Sequence, residues 1–139
     1  MLKLALFASC SCVLLDAVSA QLPAATSVPP QLVGRWLAED IDGRGVIDDL
    51  QTTLDINDDG TYAGFAGCNS YTGTFAFRDD RIVFGPASLT RKLCPPAVSD
   101  QENRFLAALT PDLEWKTDGP RLLLGSPSVG AGVALIEHD

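Results

Sequence analysis

Histidine is almost missing from this chain: His138 is the only one, one residue from the C-terminus. A serine or cysteine nucleophile needs a base held within hydrogen-bond reach, and a fraying chain end holds a base poorly. Cysteine is scarce too, with Cys10, Cys12, Cys68 and Cys94 and no Cys-x-x-Cys pair for dithiol redox chemistry. Zinc asks for three or four Cys or His ligands, and beyond the first twelve residues only Cys68, Cys94 and His138 remain. Basic residues are few, 10 against 18 acidic for a net charge of −8, which disfavours nucleic acid and anionic lipid as partners. No apolar run is long enough to span a bilayer. The expectation is a chain with no catalytic residue, no metal and no cofactor.

The longest apolar run, Leu4 to Leu15, follows Met1-Leu-Lys3 and ends in the small residues Val18-Ser19-Ala20. That is the pattern of a secretory signal peptide over residues 1–20, cut before Gln21. A lipid-accepting cysteine at Cys10 is the less favoured alternative, because the apolar run ahead of it, Leu4 to Ser9, is short. Residues 21–31, with Pro23, Pro29 and Pro30, read as a flexible tether, leaving 32–139 as one domain. The expected location is outside the cytoplasm, most simply a bacterial periplasm. In an oxidising compartment the even pair Cys68 and Cys94 favours a disulfide, worth roughly 3–4 kcal/mol by loop-closure entropy. Two buried free thiols are the alternative.

What the chain has in abundance is short alternating segments between turn residues. Gly34 to Ile41, Thr52 to Ile56, Thr61 to Phe65, Tyr71 to Arg78, Arg81 to Phe84, Leu113 to Thr117, Arg121 to Leu124 and Val133 to Glu137 each predict a strand. Asn57-Asp-Asp-Gly60, Asp79-Asp80 and Asp118-Gly119 predict hairpin turns, and Asp42-Gly-Arg-Gly45 a turn or bulge. Gly125 to Gly132 predicts a mobile loop. Ser99-Asp-Gln-Glu102 predicts a capping box, with Ser99 as N-cap and Glu102 reaching back to it. Phe105, Leu106 and Leu109 follow on one helical face until Pro111. The fold class is therefore mainly β with one helix: a small curved antiparallel sheet or barrel with the helix packed against it.

Several patterns imitate functional sites. Asp55-Ile-Asn-Asp-Asp59-Gly60 has the first half of an EF-hand loop, but its twelfth position is Ala66 and hairpin formation explains it better. The acidic pairs Glu39/Asp40, Asp48/Asp49 and Asp58/Asp59 are neighbours in extended chain, so their side chains point apart. Gly34-x-Trp36 matches the start of a lipocalin-like barrel, where Trp36 would plug the floor; Trp115, Phe75, Phe77 and Phe105 read as core. Gly67-Cys68-Asn69 suits a tight turn, since both Gly67 and Asn69 tolerate left-handed backbone; an exposed Asn69 gripping a partner is the functional alternative.

Gly34-x-Trp36, Gly60 to Asn69 with Tyr71 and Gly73, Thr90 with Cys94, Glu102 with Phe105, Leu106 and Leu109, and Leu122-x-Leu124 occur in an order that resembles the META domain of HslJ-type heat-shock proteins. The resemblance spans Leu32 to Ile136. It implies a compact barrel-like sheet with a helix against it, in bacterial envelope proteins linked to stress. It assigns no catalytic residues, so Trp36, Gly67, Asn69, Tyr71, Thr90 and Glu102 are expected to be structural, with interaction as their other possible use. Lys92 departs from the family, which often has Met two residues before the second cysteine. The function expected is a secreted, monomeric, non-enzymatic module acting through unknown envelope proteins under stress. The alternatives are a carrier of a small apolar ligand and an inhibitor of a secreted enzyme, the latter through Gly125 to Gly132.

Overall fold

A computed structural model describes residues 27–139. The expected signal peptide, Cys10 and the first part of the tether lie outside the described residues. Nine strands form: β1 Gly34–Ile41, β2 Thr53–Ile56, β3 Thr61–Phe65, β4 Ser70–Arg78, β5 Arg81–Phe84, β6 Ser88–Leu89, β7 Trp115–Asp118, β8 Arg121–Ser126 and β9 Ala131–Glu137. One helix, α1, runs over Pro96–Ala108. Most bounds fall within two residues of expectation. The two-residue β6 was not foreseen, and Leu113 lies outside β7.

The sheet is antiparallel throughout, in the order β5-β4-β3-β2-β1-β9-β8-β7, with β6 beside β4. Apart from β6, each strand lies beside a sequence neighbour, and β9 returns to β1 to join the two ends of the domain. The free edges of β5 and the β7 segment meet at one bridge, where Ile82 and Leu113 exchange both main-chain hydrogen bonds at 2.9 Å. The result is a nearly closed barrel, which leaves little unpaired edge.

Period-two alternation fills the barrel. Trp36 and Ala38 point inward from β1, and a register shift between Ala38 and Asp40 brings Ile41 inward next. Tyr62, Tyr71, Phe75, Phe84 and Phe105 stack in the interior with ring centroids 4.9–6.1 Å apart. Trp115 and Phe77 are only partly buried at its margin.

The register defines two ends. At the hairpin end lie the turns Asn57 to Gly60, Asp79-Asp80 and Asp118 to Pro120. The segment before β1 folds over this end: Leu32 is fully buried, its carbonyl accepts from Trp36 Nε1 at 3.0 Å, and Val28 packs on the core. Thus the last residues of the expected tether take part in packing. At the helix end α1 lies across the opening, with Phe105 fully buried and in tilted contact with Tyr71. Here too Gly125 to Gly132 is shorter as a loop than expected. β8 and β9 pair through Gly125↔Gly132 and Ser126↔Ala131, and a 3-10 turn over Pro127–Val129 closes the hairpin.

The capping box is a second correction. α1 begins at Pro96, after Pro95, with no side-chain cap, because proline at the first helical position needs no N–H partner. Ser99 is therefore inside the helix, and Glu102 is free for another task.

Candidate functional site: a disulfide-pinned loop on a buried polar clasp

Glu102 points from α1 into the protein, and its residue is 6 % exposed. Its carboxylate accepts from both donors of Asn69: the main-chain N–H to Oε2 at 2.7 Å and Nδ2 to Oε1 at 2.8 Å. Asn69 Oδ1 in turn accepts from Lys92 N at 2.7 Å and from the Thr90 hydroxyl at 3.1 Å. The Asn69 side chain thus joins the β3–β4 connection, the helix and the segment after β6, with every polar atom used. Asn69 was expected for left-handed backbone. The described non-glycine residues with positive φ are Asp42, Asp49, Asp79 and Asp80, so its amide is what this position uses.

Gly67 does take the left-handed region, at φ 109°, and a Cβ there would press on Leu50 and Thr52 at 3.3–3.4 Å. Glycine lets the turn lie against the start of β2 and drop Cys68 inward. Cys68, 6 % exposed, is joined to Cys94 by a disulfide with Cα atoms 6.2 Å apart, inside the range such bonds require.

A second arm of the clasp was not foreseen. Gln101 is fully buried; its Oε1 accepts from Ile47 N at 2.7 Å and its Nε2 donates to Thr52 Oγ1 at 3.2 Å. Thr52 then donates to the Ala66 carbonyl at 3.3 Å. A polar pair directly after a helix start is the only trace of this in sequence, and capping chemistry explained it too easily.

Tyr71 extends the scaffold along β4. Its hydroxyl donates to the Thr53 carbonyl, and burial, with the Asp55 charge second, pushes its phenol far above the usual range. Gly64 makes room, since a Cβ there would overlap the Thr53 carbonyl and the Tyr71 hydroxyl. At the opposite end Asp59 accepts from the hydroxyl and N–H of Thr61, which holds its carboxyl below the usual range. That carboxylate serves a hairpin, as its turn context suggested.

Trp36, Gly67, Asn69, Tyr71, Thr90 and Glu102 all make contacts within the chain, and Asn69, Thr90 and Glu102 form one hydrogen-bonded unit. What this unit holds up is the segment Thr90 to Pro95, which lies outside the helix and strands. Thr90 N donates to the Ser70 carbonyl at 3.0 Å, Lys92 N is gripped by Asn69, and Cys94 is tied covalently. Lys92 reaches water, so the family's methionine slot is not filled by its side chain. Beside it Leu93 is fully exposed, whereas Val33, Ile47, Phe65 and Leu89 are each close to 38 % exposed. An apolar groove of about 440 Å³ runs nearby between α1 and the chain after β5, lined by Tyr62, Phe84, Pro86, Leu89, Leu106 and Leu109.

These features define a small antiparallel barrel protein in which Asn69, Thr90 and Glu102 are hydrogen-bonded to one another beside an exposed loop. The META domain family model matches residues 30–137, and the chain belongs to that family. Three solved structures share the fold. One, known by NMR, is 17 % identical with a TM-score of 0.60, covering 79 % of this chain and 94 % of its own. Another, an NMR structure from Burkholderia xenovorans, is 23 % identical with a TM-score of 0.58, covering 85 % and 97 %. The third is the crystal structure of a DUF4847 family protein from Bacteroides vulgatus, 20 % identical with a TM-score of 0.53, covering 78 % and 94 %. No curated protein matches the chain. Among the described residues no helix is long and apolar enough to cross a membrane. The internal disulfide suggests an oxidising compartment.

Proposed function

We propose that this protein is a secreted, periplasmic META-domain protein that acts by binding another envelope protein under stress and performs no chemistry itself. The observation that carries this reading is the use of Asn69, Glu102 and the Cys68–Cys94 bridge to present an exposed, unregular segment at Arg91 to Leu93. Ordering a loop costs conformational entropy, about 1–2 kcal/mol per residue of backbone. A loop ordered in advance has less of that cost left at the moment of binding. The carrier alternative has less support, because Tyr62, Tyr71, Phe75, Phe84 and Phe105 occupy the barrel interior where a ligand would sit. The inhibitor alternative loses its first location, since Gly125 to Gly132 is mostly paired strand.

The test is photocrosslinking in the living cell, with a photoreactive amino acid replacing Leu93 in one strain and Asp118, on an exposed strand, in another. A discrete protein adduct at position 93 that strengthens on heat shock, with none at 118, is the expected result. Equal adducts at both positions, or none at 93, would count against a dedicated interaction loop. Mass analysis of the secreted chain, expected to begin at Gln21 without lipid, checks the location at the same time.

A further inference from the structure

Leu93 stands out from every other apolar side chain of the described residues. Val33, Ile47, Phe65 and Leu89 are each more than half covered here, and a leucine with nothing against it in the free protein offers its whole burial energy to a partner. Val129 is also exposed, at 78 %, but it sits on the 3-10 turn of the β8–β9 hairpin, away from the disulfide. Leu93 lies between two anchors: the Lys92 N–H bound to Asn69 before it and the Cys94 disulfide after it. Pro95 and Pro96 then fix the chain direction into α1. Arg91 and Lys92 put two cations beside it on a chain of net charge −8.

We propose, building on the interaction reading above, that Thr90 to Pro95 mimics a substrate. Its partner is a secreted endopeptidase whose main pocket accepts a large apolar side chain and whose adjoining cleft is acidic. Such an enzyme binds its substrate as an extended strand lying outside regular structure, with one side chain sunk in a pocket next to the bond to be cut. Leu93 is that side chain and Leu93–Cys94 is that bond. The acidic rim meets Arg91 and Lys92 on the side preceding Leu93; among the described residues neither is in an ion pair, whereas Arg35, Arg78, Arg81, Arg104 and Arg121 each are.

The anchors explain why binding is not followed by loss of the loop. Hydrolysis adds one water across the Leu93–Cys94 amide and gives a Leu93 carboxylate and a Cys94 amine. Both new ends stay in place, Lys92 on Asn69 and Cys94 on Cys68, so the amine remains beside the carbonyl and amide formation expels that water again. Rigid, preformed loops of this type bind with little backbone change. A membrane surface fits less well, because one leucine is too small an anchor and the acidic protein is repelled by anionic lipid.

The experiment titrates the disulfide-bonded secreted chain against serine endopeptidases of apolar primary specificity (chymotrypsin-like and subtilisin-like) and against one specific for Lys and Arg. Stoichiometric inhibition of an apolar-pocket enzyme is expected. Leu93→Gly should weaken it roughly 10- to 100-fold, the burial energy of one leucine, with the melting temperature unchanged. Leu93→Lys should move inhibition to the Lys/Arg-specific enzyme. Rapid cleavage at Leu93–Cys94 without inhibition overturns the proposal, and so does Leu93-dependent binding to phosphatidylglycerol vesicles in its place. Absence of inhibition alongside a position-93 crosslink overturns the endopeptidase and leaves the interaction reading standing. Absence of both removes the two together.

Discussion

At the hairpin end of the barrel the chain holds itself together over short distances. Asp59 bonds Thr61 two residues away, Asn57 bonds Thr61 four away, and Asp79-Asp80 turns β4 directly into β5. At the helix end the partners are far apart in sequence: Glu102 and Asn69 by 33 residues, Gln101 and Thr52 by 49, Gln101 and Ile47 by 54. The polar side chains that shape the turns of the first end are exposed and each lose little if removed. The second is made of buried ones that leave a donor without a partner. One barrel thus has a tolerant end and an exacting one, and the exposed loop is mounted on the exacting end.

The largest effect expected follows from cutting that end covalently. Cys68→Ala with Cys94→Ala opens a loop of 26 residues and should cost about 3–4 kcal/mol, read by urea unfolding. Limited proteolysis of the same variant should then begin between Thr90 and Pro95. Loss of stability spread evenly, with the first cut elsewhere, would break the link between the bridge and the loop.

Glu102→Ala comes next. It leaves the Asn69 N–H and Nδ2 without acceptors in a buried setting, and each such donor costs about 1–3 kcal/mol, so roughly 3 kcal/mol is expected. Ser99→Ala, inside the helix and capping nothing, should change stability by less than about 0.5 kcal/mol. A double-mutant cycle of Glu102→Ala with Asn69→Ala should show coupling well above 1 kcal/mol. Costs of equal size for Ser99 and Glu102 would restore the capping box.

These two residues mark how far sequence could be read. The strands were legible because period-two alternation and Asp/Asn/Gly turns are local, and β1, β3 and β5 matched at both ends. The pairing of Cys68 with Cys94 followed from compartment and count. Glu102 was noticed but misassigned: Ser-x-x-Glu after two prolines satisfies a local rule, and nothing local says that Asn69 will arrive beside it. Gln101 and Thr52 were missed for the same reason, since their bonds exist only once the barrel has closed. Leu93 left one overlooked sign, a leucine between Arg91-Lys92 and Cys94-Pro95-Pro96 that belongs to no alternating strand pattern.

Alkaline pH distinguishes interior from surface more gently. Burial raises the phenol of Tyr71 and, less deeply, that of Tyr62 above the ordinary value of 10.0. The unfolded chain therefore gives up these protons first, so the stabilisation is complete below about pH 10 and is lost as pH rises through the folded values. Tyr71 contributes a slope of up to about 1.4 kcal/mol per pH unit in that window. Tyr71→Phe should flatten the decline measured by unfolding between pH 10 and 12, though it also removes the bond to Thr53. An unchanged slope would mean that Tyr71 reaches water in the native state.

The smallest change expected is a gain at the tolerant end. Asp79 and Asp80 both have positive φ, 51° and 62°, in a two-residue turn between the paired Arg78 and Arg81. Two left-handed residues in that place make the turn type that matches strand twist, and Asn-Gly suits it better than Asp-Asp because Gly has no Cβ to crowd the main chain. Asp79→Asn with Asp80→Gly should therefore raise stability by about 0.5–1 kcal/mol. Its effect should add independently to that of Glu102→Ala, because the two changes sit at opposite ends of the barrel and share no partner. Non-additive stabilities would mean that the hairpin end and the helix end are coupled through the strands, and the division between a tolerant and an exacting end would then fail.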